Sequence, residues 1–165
     1  MAAMLMGAWS LQSCDNEPTK EVWLDEFGQD SCYVQDWGML EVNRSVVHTP
    51  LTVNGVVYER GLGAHSISRL LYDLDGKAVS ISGLAGADDK NLFAGKLQFK
   101  ILGDKKELWK SGVMQKGDPV KEFNVNLKGV DKVLLLVEEC GDGIMYDHAD
   151  WLNVKITTRG DVKPV

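Results

Sequence analysis

From residue 50 onward, apolar and polar positions alternate in short runs broken by turn residues, with almost no stretch at helical period. In KLQFKIL (96–102), Leu97, Phe99 and Ile101 alternate with polar neighbours, as a half-buried strand requires. Phe123, Val125 and Leu127 repeat the pattern in EFNVNL, and KVLLLVEEC (132–140) reads as a strand buried on both faces or nearly so. Asn54-Gly55, set between the apolar residues of LTVNGVVY, supplies the positive φ angles of a tight hairpin. Asp75-Gly76 divides SRLLYDL from AVSIS, and GDKK closes KLQFKIL before ELWKS returns. Short strands with a turn roughly every eight to twelve residues predict an all-β fold of two packed antiparallel sheets, a β-sandwich of jelly-roll type.

Loops at the ends of such a sandwich are where binding groups are carried. In DWLNVKIT, constant alternation puts Leu152, Val154 and Ile156 on one face and Trp151 on the other, with Asn153 and Lys155. Trp151 is then either covered by another element or exposed as a flat apolar platform. Beside it, GDGIMYDHADW (141–151) gathers Asp142, Asp147, His148 and Asp150. A sugar needs both kinds of group, an aromatic plane for its C–H face and polar side chains for its hydroxyls. In ERGLGAHS, Gly61 and Gly63 permit a tight bend or close backbone approach but lack the third glycine and following helix of a phosphate-binding loop. His65 there is either a satisfied buried histidine or a ligand-facing one. Asp88 and Asp89 in GADDK lie in a turn after a strand, where adjacent carboxylates are usually solvated.

Composition narrows the classes. A chain of 165 residues, 44% hydrophobic and 25% charged, suits one soluble globular domain, and a net charge of −6 disfavours nucleic acid as a partner. Three cysteines and three histidines (His48, His65, His148) show no paired zinc spacing. Calcium, which takes carboxylate and carbonyl oxygens in loops, is the more plausible cofactor, with Asp25 in WLDEF and Asp150 as candidate ligands. A glycosidase needs two carboxylates across a deep cleft; Asp147 and Asp150 are conceivable, but a small sandwich offers shallow loops, and no serine sits in a nucleophile elbow. Catalysis by this chain alone is disfavoured.

The first residues differ in kind. MAAMLMGAWSLQSC is almost wholly apolar or small, and DNEPTK turns polar. Leu11-Gln12-Ser13-Cys14 resembles a bacterial lipobox with Cys14 as the lipidated residue, although no Lys or Arg precedes it, which suggests a clipped signal; a frayed helix with an ordinary cysteine is the alternative. Residues 1–20 are thus read as signal and tether, and the domain as an extracytoplasmic lipoprotein, periplasmic or at the cell surface, touching membrane only through that lipid. In that compartment Cys32 and Cys140 either pair or stay free and buried. No other apolar run approaches the roughly 20 residues of a membrane span. TTRGDVKPV loses strand patterning, and 159–165 reads as a tail or the start of a linker.

VNGVVYERGLGAHSISRLLYDLDGK, GLAGADD, KLQFKILGDKKELWKSGVM and DHADW, in that order and spacing, resemble the NPCBM domain, grouped with carbohydrate-binding module family 51, over residues 21–158. The resemblance implies a jelly-roll module that binds galactose-containing glycans without catalysis, often with calcium, appended to glycoside hydrolases such as α-galactosidases. It bears on Gly61, Gly63, His65, Asp88, Asp89, Asp147, His148, Asp150 and Trp151, of which His65, Asp88, Asp89, Asp147, His148 and Trp151 are the expected sugar-binding set. A purely structural role within an α-galactosidase-type hydrolase is the alternative. GDKK stands where many relatives carry GDG.

Overall fold

The turns foreseen from the sequence set the chain's path. In the computed structural model, which describes residues 18–30, 32–93, 95–161 and 163–164, Asn54 and Gly55 take φ of 49° and 78° between β4 (Leu51–Val53) and β5 (Val56–Tyr58). Asp75-Gly76 turns likewise between β7 (Ser68–Asp73) and β8 (Ala78–Ala87), and Asp104-Lys105 between β9 (Leu97–Gly103) and β10 (Lys106–Met114). Cys14 lies outside the described residues.

Two antiparallel sheets result. One runs β11 (Lys121–Asn126), β8, β13 (His148–Thr158), β6 (Gly61–His65), β3 (Glu41–Val42), with β1 (Lys20–Trp23) beside the C-terminal half of β13. The other runs β10, β9, β12 (Lys132–Glu139), β7, β14 (Lys163–Pro164), with β2 (Cys32–Gln35) also on β7. A short 3-10 helix (Leu24–Asp30) links β1 to β2, and β4 and β5 form a separate hairpin. Leu97, Phe99 and Ile101 are fully buried, as are Val133, Leu135 and Val137 on the neighbouring β12; on that strand's other face Leu136 is buried and Leu134 partly so. This is an all-β jelly-roll sandwich.

The strand that carries the candidate chemistry departs from simple alternation. Pairing between β13 and β8 slips between Leu152 and Lys155, and Asn153 sits there at φ 48°. This bulge inserts one residue and reverses the phase. Val154 and Ile156 face the space between the sheets, but so do Ala149 and Trp151 on the other side of the bulge, whereas Leu152 packs outward against Leu51 and Val53 of the β4–β5 hairpin. Trp151 is fully buried, with Phe99 and Phe123 edge-on at 4.9 and 5.7 Å between ring centroids. The expectation of a Trp151 platform is therefore corrected: it is core, because the bulge shifts the alternation on which that assignment rests.

Candidate functional site

Moving Trp151 inward puts His148, Asp150 and Leu152 together on the outer face. Two glycines in β6 let other backbone lie directly on that strand: a Cβ on Gly63 would sit 2.2 Å from the Arg44 carbonyl oxygen, and one on Gly61 would sit 2.4 Å from that of Trp151. The expected close approach is real, and it seats the 43–49 loop beside His65.

His65 and His148 are cross-strand partners on β6 and β13, their rings 5.5 Å apart. Trp37 completes the group from the turn after β2, stacked on His148 (5.8 Å between centroids, planes 7° apart) and tilted against His65 at 4.9 Å. Gln35 fixes this turn: its Nε2 donates to the Trp37 carbonyl and its Oε1 accepts from the His65 amide. Trp37 keeps 48% of its surface exposed, while both histidines are largely buried. His65 Nδ1 donates to the Ser66 carbonyl at 2.6 Å, which leaves Nε2 as an acceptor. Burial pushes both imidazoles below their ordinary pKa, and for His148 the nearby His65 adds to the effect. Both are neutral at pH 7 and can trade hydrogen bonds with hydroxyls.

These three rings line a cleft of about 600 Å³, joined by Lys90 and Leu92 from the β8–β9 loop and by Met145 and its neighbours from the β12–β13 loop. The floor is well held. Asn91 accepts from the His148 amide (2.8 Å) and donates to the His148 carbonyl (3.0 Å), which also accepts from the Asp88 amide.

The expected aspartates do other work. Asp89 accepts from the amides of Asn54 and Gly55 (3.0 and 2.7 Å), capping the hairpin turn, and Asp88 accepts from those of Thr52 and Lys90. Both clamp the β4–β5 hairpin to the sheet, and neither is among the residues that line the cleft. Asp147 is buried, accepting from the Ser66 hydroxyl, and burial raises its pKa to about 6. Asp150 is fully buried between the Gly63 and Gly86 positions, and burial, then the adjacent Asp88, holds its carboxyl well above the usual range. Neither Asp147 nor Asp150 is among the residues that line the cleft.

Both oxygens of Asp25 accept from Arg60 (3.0 and 3.2 Å), whereas Asp150's acidic neighbours are Asp88 and Asp89. Asp25 is thus engaged by a guanidinium, while burial raises the pKa of the Asp150 carboxyl. Among the described residues no group of three or more His, Cys, Asp or Glu is arranged to hold a metal ion. Cys140, half-buried after β12, is a free thiol, and the side chain of Cys32 lies outside what the structure describes.

Of the expected set, then, His65 and His148 meet in one site. Sequence reasoning missed Trp37, although a tryptophan between Asp36 and Gly38, outside any apolar run, has nothing nearby in sequence to bury it.

The chain is 29% identical to the alpha-1,3-galactosidase B of Akkermansia muciniphila, over 76% of this chain and 16% of that protein. It is also 29% identical to a "Putative endo-alpha-N-acetylgalactosaminidase" of Renibacterium salmoninarum, over 90% of this chain and 10% of that protein. It thus spans only a small part of these relatives. Among solved structures it is similar to the CBM51 of Clostridium perfringens GH95 in complex with methyl-galactose, with a TM-score of 0.75, 25% identity, and 83% of this chain and 99% of that one covered. The M60 catalytic domain with the CBM51-1 and CBM51-2 domains of Clostridium perfringens ZmpB matches with a TM-score of 0.77 and 28% identity, over 86% of this chain and 15% of that one. The NPCBM/NEW2 domain family matches residues 20–157. With that match over most of its length, the chain belongs to the NPCBM/NEW2 family, as a carbohydrate-binding module of non-catalytic kind.

Proposed function

We propose that this module binds a terminal galactose-type sugar in the cleft of Trp37, His65 and His148, and so holds an attached glycoside hydrolase against its glycan. The observation that carries the reading is the trio itself: a half-exposed indole plane beside two neutral imidazoles. Galactose, with its axial C4 hydroxyl, leaves an unbroken C–H face that packs on an indole, while the axial hydroxyl lies toward groups at the ring's edge. His65 Nε2 accepts from such a hydroxyl, and its orientation is preset by the Ser66 carbonyl. The similar module with bound methyl-galactose supports the choice of sugar.

An open site for one hexose should bind weakly, with Kd of about 10 µM to 1 mM. Calorimetry with methyl galactoside tests this. Trp37→Ala should weaken binding at least about tenfold with the fold intact, since half of this side chain is already in water. Absence of binding by the native chain to any galactoside would leave the structural role within a hydrolase as the better reading.

A further inference from the structure

The cleft is chemically uneven. Beside the Trp37–His65–His148 group, its wall is built from Leu92, Ile144 and Met145, with Lys90 as the permanent charge among the lining residues. Leu92 and Met145 are 71% and 72% exposed, and Phe93 next to them is 66% exposed. These side chains stand on anchored loops. Asn91 is locked to the His148 backbone and its carbonyl accepts from Lys116 Nζ at 2.8 Å. Phe93 meets Tyr146 edge-on at 5.0 Å, tying the two loops together. On the other loop, the Gly141 and Gly143 amides both donate to Glu139. An exposed apolar wall on a fixed frame, continuous with a polar site, marks binding surface rather than fraying.

A volume of about 600 Å³ is more than one hexose fills, within the roughly 300–1,000 Å³ of small-molecule pockets. A second sugar carrying only hydroxyls would gain little from Leu92 and Met145, which offer a hydroxyl no hydrogen-bond partner. A 2-acetamido sugar offers a methyl for those side chains and an amide carbonyl for Lys90. A 6-deoxy sugar has the methyl but no carbonyl. We infer that the wall of Leu92, Ile144 and Met145 is a second subsite that reads the acetamido group of the sugar next to the terminal galactose. This rests on the galactose reading above and adds the identity of the neighbouring residue. It is in keeping with one relative's name, which refers to an N-acetylgalactosamine linkage.

The test titrates the full chain with methyl galactoside and two matched pairs: lactose against N-acetyllactosamine, and galactosyl-β1,3-galactose against galactosyl-β1,3-N-acetylgalactosamine. Burying one methyl with its contacts predicts that the acetamido member binds about five- to tenfold more tightly in at least one pair. Leu92→Ser and Met145→Ser, both at exposed positions, should erase that preference, read as the ratio of the two affinities within each pair. Equal affinities within both pairs, alongside normal methyl galactoside binding, overturn the inference and spare the galactose reading. So does a preference that survives both variants, or a larger preference for 2′-fucosyllactose over lactose. If methyl galactoside and every disaccharide fail to bind, or if free N-acetylglucosamine binds where methyl galactoside does not, both readings fall.

Discussion

Two tryptophans mark two regions held by different physics. Trp151, sealed between the sheets by Phe99 and Phe123, contributes to the jelly roll's interior; Trp37, half in water and stacked on His148, rests on a turn that Gln35 holds. The first is bound by packing on all sides, the second by a few directional contacts. The difference teaches that the tryptophan on a connection between strands is open to a ligand, whereas the one whose strand position faces the other sheet is not. The most direct way to break the comparison is to remove each ring. Trp151→Ala should cost about 3–5 kcal/mol, the range for large buried aromatics, and lower the urea midpoint accordingly. Trp37→Ala should shift the midpoint far less, by roughly 1 kcal/mol or below, while taking sugar binding with it. Equal destabilisation by both would erase the distinction.

Much of the interior region is legible in the sequence. Leu97-Phe99-Ile101 and Phe123-Val125-Leu127 alternate without interruption because β9 and β11 keep one phase, and Asn54-Gly55 announces its hairpin because few other pairs tolerate two positive φ angles. The phase of β13 is not legible, since alternation read from Ile156 backward crosses a bulge that only Asn153 hints at. That single shift exchanges the roles of Trp151 and His148. The settings of the aspartates are not legible for another reason: sequence shows their number, but the hydrogen-bond partners that engage them, the hairpin amides and Arg60, arrive from distant segments.

The floor between the two regions should answer to pH. Asp147 has its pKa raised to about 6, so the folded state holds a proton that the unfolded chain releases near pH 4. The stability from this group is therefore complete below about pH 4 and is lost as pH rises through about 6, by on the order of 2 kcal/mol at pH 7. Asp147→Asn should keep the acceptor for Ser66, raise stability at pH 7 and flatten this part of the profile, leaving a residual slope of the same sign from Asp150. Denaturation at pH 4.5 and 7.5 measures it; an Asn variant no more stable than wild type at pH 7.5 shows that the carboxyl is solvated in the folded state.

Binding should depend on pH in the opposite sense. His65 and His148 have lowered pKa values, through burial and, for His148, through His65. Asp36 and Asp88 are the acidic groups that act on the pair, favouring protonation of His65 and His148 respectively, and burial outweighs them. Both rings stay neutral through pH 7 and charge only on acidification below the usual histidine range. A charge on either replaces the neutral acceptor on His65 or repels the neighbouring ring 5.5 Å away. Methyl galactoside affinity should hold between pH 8 and 6.5 and fall about tenfold toward pH 4.5, beyond any loss of folded protein seen by circular dichroism. A flat profile would remove the imidazoles from the site.

The smallest expected effect probes what separates the regions. Asn153, exposed and at φ 48°, donates its amide to the Arg60 carbonyl at 3.0 Å and marks where β13 changes phase. Asparagine tolerates this left-handed conformation better than most residues, and glycine better still, at the cost of more freedom in the unfolded chain. Asn153→Gly should therefore change stability by less than about 0.5 kcal/mol and leave methyl galactoside binding untouched. Asn153→Val sharpens the point. Valine favours a regular strand, but a positive φ costs it about 1–2 kcal/mol. If the bulge is required, because Trp151 and Ala149 must face the core on one side of it while Val154 and Ile156 do so on the other, valine has to bear that strain and lowers stability by about that amount. If the strand could run straight, valine would stabilise it, and Trp151 would turn outward. Near-ultraviolet circular dichroism of the Val variant, which reads the packing of the buried indole, together with its urea midpoint, distinguishes a strained bulge from a straightened strand.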